Sequence, residues 1–251
     1  MSYSKSYTKF MNVNIRSYGE GFPIVFFHGW GFDSTIWLSL IPKLALNFQL
    51  ILVDLPGFGH TPTMDWFLFK ELLLTELPPK FGVVGWSMGG LYGLRLATEE
   101  SSRVDYLVNV TSSPCFLHTD IWPGVPKEVF KGFYNKLSRE PHNTLKDFLE
   151  LNGLNTKEAL RFLPVKLPSL EGLELGLNIL ETWDLRQKLE YFNKPICFMF
   201  GRLDPIVPVK TMKSMQMYYP KFDYVLFKRS GHLPFLSQMD LFIECLQGFI
   251  K

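Results

Sequence analysis

The stretch Gly85-Trp86-Ser87-Met88-Gly89-Gly90 limits what this chain can fold into more than any other. It follows the short apolar run Phe81 to Val84 and precedes the helix-like Leu91 to Glu99, so it reads as a tight strand-to-helix turn with a serine at its apex. The G-x-S-x-G spacing is that of a nucleophile elbow, and crowding explains it. Ser87 has to sit on a strained turn that exposes its Oγ, while Gly85 and Gly89 lack the Cβ that would clash where strand and helix pass closely. The turn also opens a helix, whose unpaired N–H groups and positive dipole end favour negative charge developing at the hydroxyl. Ser87 is the candidate nucleophile. A glycine-rich turn that serves close packing alone would carry the same residues, so the rest of the chain has to discriminate.

Apolar, β-branched or aromatic runs recur at Met11 to Tyr18, Pro23 to Phe27, Leu50 to Val53, Phe81 to Gly85, Val104 to Val110, Pro195 to Phe200 and Asp223 to Phe227. Each predicts a strand. Helices are predicted between several of them, at Ile36 to Leu46, Leu91 to Thr98 and Val209 to Met217. Continuous apolar strands alternating with helices imply an α/β fold, a mostly parallel sheet flanked by helices. From Pro114 to Phe192 the alternation stops, with helix-like pieces, Trp122-Pro123-Gly124, and prolines at Pro164 and Pro168. A helical insertion of that length reads as a lid rather than a loop. The predicted organisation is therefore a sheet core of residues 1–113 and 191–251 with an inserted helical lid, 114–190. Within the lid, Thr144 and Asp147 predict a capping box opening a helix whose Leu145, Phe148, Leu149 and Asn152 recur at helical spacing. That stripe is either lid core or the apolar wall of a pocket. Met212, Met215 and Met217 read as core packing.

Composition removes several functional classes. Lys+Arg total 26 against 24 Asp+Glu, and a balance so near zero gives nucleic acid or a membrane surface nothing to hold. The three cysteines are far apart and lack C-x-x-C spacing, which argues against a disulfide framework and against zinc. Met1 to Phe10 lacks the apolar core of a signal peptide, and no apolar run is long enough to cross a membrane, so the expected location is the cytoplasm.

Four loops bear on chemistry. His28-Gly29-Trp30-Gly31 follows a strand run, and its glycines let the backbone aim N–H groups inward; those of Trp30 and Met88 would form an oxyanion hole. The competing reading is an ordinary glycine turn with Trp30 packed as a core aromatic. His28, ending a strand ahead of the turn, reads as orienting that loop. Asp54, in Asp54-Leu55-Pro56-Gly57-Phe58-Gly59, reads as a turn carboxylate accepting backbone bonds, and His60 gets the same structural reading. Asp204 and His232 each stand just past a strand run, and in open α/β sheets ligands bind outside the carboxyl ends of the strands. The order Ser87, Asp204, His232 then meets the needs of a triad: the imidazole takes the serine proton, and the carboxylate fixes its tautomer. His28 and His60 precede the elbow, and His118 and His142 fall in the lid.

On these residues the chain resembles the α/β-hydrolase superfamily, and within it the pimeloyl-acyl-carrier-protein methyl ester esterases of biotin synthesis. Ser112-Ser113-Pro114-Cys115-Phe116, Trp122-Pro123-Gly124 and Asp184-Leu185-Arg186-Gln187 carry the closer likeness. The chain departs from the pattern at His60-Thr61, where related chains often place a serine, and at Asp147, where a basic residue is expected. The resemblance implies a monomeric serine carboxylesterase with Ser87, Asp204 and His232 as its triad and no metal or organic cofactor. It also implies that substrate touches Trp30, Ser87, Met88, His232 and the segment Phe148-Leu149-Glu150-Leu151-Asn152, with acyl carrier protein as the partner bearing the ester. Two other readings stay open: a generic carboxylesterase, lipase-like enzyme or carbon–carbon bond hydrolase, and a ligand receptor with negligible turnover.

Overall fold

The computed structural model describes residues 12–152 and 154–250. Met1 to Phe10, read above as lacking a signal peptide, and Met11, the start of the first expected strand, lie outside the described residues. The strands β1 (Ile15–Tyr18), β2 (Phe22–Phe27), β3 (Phe48–Val53), β4 (Phe81–Trp86), β5 (Val104–Val110), β6 (Ile196–Gly201) and β7 (Asp223–Phe227) form one sheet in the order β1-β3-β2-β4-β5-β6-β7. Only β1 runs antiparallel to its neighbour. Every expected strand forms, with small shifts at the ends. β4 and β6 are buried along their whole length, which is why they read as unbroken apolar runs rather than alternating ones.

The helices are α1 (Ile41–Leu44), α2 (Trp66–Glu76), α3 (Met88–Glu99), α4 (Lys127–Arg139), α5 (Pro141–Leu151), α6 (Thr156–Arg161), α7 (Leu170–Thr182), α8 (Arg186–Glu190), α9 (Val209–Tyr218), α10 (Pro234–Ser237) and α11 (Met239–Ile250). Four differences from expectation have local causes. The helix expected at Ile36 to Leu46 is a 3-10 segment, Ser34–Leu40, followed by α1; Pro42 cannot donate a helical hydrogen bond, so the winding restarts there. α2 was not expected, although Asp65 caps it by accepting the Leu68 N–H. The capping box expected at Thr144 lies instead at Asn155 and Glu158, opening α6. α5 already starts at Pro141, so Thr144 is inside it and its hydroxyl donates to Lys136 O at 3.3 Å. Of the three methionines of α9 expected in the core, Met215 is buried and Met212 half-buried against it, but Met217 is exposed.

Helices α4 to α8 occupy the segment between β5 and β6, and there α4 packs on α5 and α7. The chain enters and leaves this segment side by side, through a bridge pairing Cys115 with Asp184. Near the exit the Arg95 guanidinium lies 4.4 Å from the Trp183 ring and 5.0 Å from that of Trp66. Arg95 also bonds Glu99 at 2.9 Å, and Lys188 of α8 reaches the same carboxylate at 3.0 Å. Burial pushes the Glu99 carboxyl up, but hydrogen bonds from Trp66, Arg95, Lys188 and Lys70 outweigh it and hold the group down at about 2. A charged cluster thus ties the last helix of the segment to α2 and α3.

Candidate active site

Ser87 stands at the junction of β4 and α3 with φ 55° and ψ −121°, in a region that non-glycine residues rarely occupy. The glycines make that turn possible. A Cβ on Gly85 would lie 2.3 Å from Gly89 O, and one on Gly89 would lie 2.3 Å from Phe27 O. The strained residue is held on both sides: its N–H donates to Val110 O at 3.0 Å, and its carbonyl accepts from Ser112 Oγ at 2.7 Å.

Asp204 follows β6. Its Oδ1 accepts the N–H groups of Ile206 at 2.8 Å and Val207 at 3.0 Å, which orients Oδ2 toward His232 Nδ1 at 2.7 Å. A carboxylate can only accept here, so Nδ1 carries a proton and donates it to Asp204. Nε2 has no hydrogen-bond partner among the described residues, and the His232 ring borders a cavity of about 350 Å³ that Ser87 also borders. The Ser87 hydroxyl is not hydrogen-bonded to the ring in this structure. The structure therefore brings Ser87, Asp204 and His232 together from three strand ends.

The main chain of His232 is fixed as firmly as its ring. Its carbonyl accepts from Trp86 Nε1 and from Thr111 Oγ1, both at 2.8 Å, and its N–H donates to Asn152 Oδ1 at 2.6 Å. Sequence reasoning missed Trp86 and Thr111 in this role, because both act across more than a hundred positions of chain. Thr111 has a positive φ of 42°, which no local motif announces.

Trp30 is buried, with its indole N–H donating to Leu173 O at 3.1 Å. The backbone N–H groups of Trp30 and Met88 meet no acceptor among the described residues. His28 and Asp54 are organised differently. His28 Nε2 accepts the Leu55 N–H at 2.9 Å, which leaves Nδ1 to donate to Gly29 O at 2.9 Å. Burial drives this imidazole below its ordinary pKa. Asp54 accepts from the Ser34 N–H, the Asn14 amide and the His60 N–H. Burial alone would raise this carboxyl, but His28 and the bonds from Ser34 and His60 outweigh it and hold the group low.

The cavity wall is mainly aromatic and aliphatic, including Trp30, Phe32, Phe133 and Phe148, with Lys136 and Asp147 as its charged residues. Of the segment expected to touch substrate, Phe148, Leu151 and Asn152 border the cavity. Leu149 and Glu150 do not: the helical turn carries Leu149 fully into the core and points Glu150 to Lys146 at 3.1 Å. Met88 is buried and does not border the cavity.

Residues 24–244 match the alpha/beta hydrolase family. The chain is 56% identical over 241 residues to the pimeloyl-acyl-carrier protein methyl ester esterase of Legionella pneumophila strain Corby, covering 96% of this chain and 100% of that one. It is 34% identical over 255 residues to the esterase of the same name from Aeromonas hydrophila, again covering 96% and 100%. Among solved structures, an esterase from Exiguobacterium antarcticum superposes with a TM-score of 0.84 at 22% identity and covers 95% of both chains. That likeness speaks for the fold. With the sheet order, the elbow and a relative sharing more than half its residues in agreement, the chain belongs to the α/β-hydrolase family.

Proposed function

We propose that this protein is a serine carboxylesterase that hydrolyses the methyl ester of pimeloyl-acyl carrier protein in biotin synthesis. One observation carries the chemistry: the 2.7 Å bond from His232 to Asp204 leaves Nε2 unpartnered at the same cavity as the strained Ser87. Ser87 Oγ attacks the ester carbonyl while its proton passes to Nε2, and Asp204 stabilises the imidazolium. The Trp30 and Met88 N–H groups receive the oxyanion. Collapse of the tetrahedral intermediate expels methanol, which takes the proton from Nε2. Water then attacks the acyl-enzyme, giving its proton to Nε2; Ser87 recovers that proton as it leaves, and the acid is released. The open Ser87–His232 geometry suits a resting enzyme, because such bonds tighten only once substrate is bound. No metal enters any step.

The aromatic wall fits the methylenes of an acyl chain, each worth about 0.8 kcal/mol when buried. The newly formed carboxylate is poorly solvated against it, which favours release of product. The carrier reading draws support from charge. Residues 127–166 hold eight basic and five acidic side chains, whereas 167–190 hold two basic and five acidic. Lys157 and Arg161 are exposed on α6, which packs on the cavity-lining α5, and a basic surface there steers an acidic carrier to the cavity. The protein acts as a monomer in the cytoplasm. Assaying the carrier-bound methyl ester beside a p-nitrophenyl ester tests the reading: both should turn over, the carrier ester with the higher kcat/KM. Equal kcat/KM would reduce the protein to a generic esterase, and no turnover of either would leave a receptor.

A further inference from the structure

The geometry points to Asn152 as a positioning residue, through which helix α5 sets the main chain of His232. The inference rests on His232 being the base. The His232 carbonyl is bonded to the sheet side of the molecule, to Trp86 and Thr111, whereas its N–H is bonded only to Asn152, at the C-terminal end of α5. That bond, 2.6 Å long, joins residues 80 positions apart, and Asn152 is buried. The amide is itself oriented, because Nδ2 donates to Phe148 O at 2.9 Å and so presents Oδ1 to His232. Its neighbour has made room for it. A Cβ on Gly231 would lie 2.6 Å from Asn152 Oδ1, so a glycine before His232 lets the amide reach the backbone. One turn earlier on α5 the Phe148 ring stands edge-on to the imidazole, with centroids 5.9 Å apart and planes at 84°.

Helix α5 therefore touches the base twice, at its ring and at its N–H, while the same face borders the acyl cavity. The position of this helix and the alignment of Nε2 are set together. A substrate that fits the cavity with α5 in place meets an aligned base, and one that displaces α5 loses it. Asn152 acts on the reaction through His232, with its polar atoms already engaged by the chain.

The test is Asn152→Ala beside Asn152→Asp, which keeps an oxygen acceptor, each verified as folded by circular dichroism. A misplacement of about 1 Å in such machinery costs on the order of 10²-fold, so Asn152→Ala should lower kcat roughly 10- to 100-fold. The loss should appear for p-nitrophenyl acetate and for the carrier-bound methyl ester alike, with KM for the small ester held within about threefold. Asn152→Asp, which keeps the acceptor for the His232 N–H but loses the donor to Phe148 O, should recover part of kcat. By NMR the His232 amide proton should lie downfield in the wild type and in Asn152→Asp, and move upfield in Asn152→Ala. A KM raised for the carrier ester alone, with kcat unchanged, would make Asn152 a substrate contact and overturn the inference. So would a wild-type His232 amide at an ordinary shift, a result that needs no variant to fold. His232→Ala run in parallel separates the two readings, since activity surviving there removes the base assignment itself.

Discussion

His28 follows β2 and neighbours Asp54 after β3; His232 follows β7 and neighbours Asp204 after β6. All four side chains are buried, and each pair stands past the carboxyl ends of parallel strands. They differ in what remains unbonded. Both nitrogens of His28 are taken by backbone groups, and Asp54 accepts from three different residues. His232 has only Nδ1 of its ring engaged, and the ring borders a cavity. The second arrangement leaves a nitrogen open for the proton transfer proposed for His232, and the first leaves none.

The sharpest break of that comparison is His232→Ala against His28→Ala. Losing a triad base costs on the order of 10⁶ in kcat in a serine hydrolase, so His232→Ala should be inactive yet folded. His28→Ala should destabilise the fold and cost at most about 10³ in kcat, because it loosens Gly29 and with it the proposed oxyanion donor at Trp30. Ester turnover per folded molecule, with the folded fraction read by circular dichroism, checks both. Equal losses would erase the distinction.

The carboxylates come next. Asp204→Asn should drop kcat by about 10⁴, the figure for the analogous change in a well-studied serine protease, with little effect on the fold. Asp54→Asn should keep kcat and lose stability by about 1–3 kcal/mol, the cost of leaving a buried donor unpaired. Urea unfolding and steady-state kinetics on the two variants separate these outcomes, and a reversal would move the acid to Asp54.

The third effect is on stability against pH. His28 is buried with its pKa below the ordinary 6.5, so unfolding takes up a proton when the pH lies between the folded value and 6.5. Stability should be fully present above pH 6.5 and fall below it, by at most about 1.4 kcal/mol per pH unit. Urea unfolding between pH 7.5 and 5 should show this slope in the wild type and lose it in His28→Gln. An unchanged slope in that variant would show that another group takes up the proton. The low pKa of Glu99 acts lower down: its stabilisation is present above about 4.5 and lost as the pH falls toward about 2.

The smallest effect concerns the surface rather than the buried pairs. Reversing the charges of Lys157 and Arg161 should raise KM for the carrier-bound ester several-fold at low salt, where screening is weak, and leave a small free ester unchanged. Equal effects on both substrates would remove that face as a carrier-docking surface.

Much of this was legible in the chain because the informative signals are local. The elbow needs glycines two positions either side of Ser87, and strands buried on both faces must be apolar throughout, so both show as short runs of letters. Asp54 was readable as a turn carboxylate for the same reason, since two of its partners, Ser34 and His60, lie within 20 positions of it. Helix α2 was missed although its cap, Asp65, stands in plain view, because its apolar residues surround the helix instead of forming one stripe. The expectation that all of Phe148 to Asn152 touches substrate treated a helix as a ribbon, and rotation takes Leu149 and Glu150 away from the cavity.

By itself the sequence determined the sheet, the strained turn and the three residue types that chemistry requires at its edge, since each follows from sterics within a few residues or from the order of the strands. Which histidine keeps a free nitrogen was decided by tertiary structure alone. That depends on where Leu55, Gly29, Asp204, Trp86, Thr111 and Asn152 arrive in space, and hydrogen bonds between groups up to 146 positions apart leave no trace in the spacing of the chain.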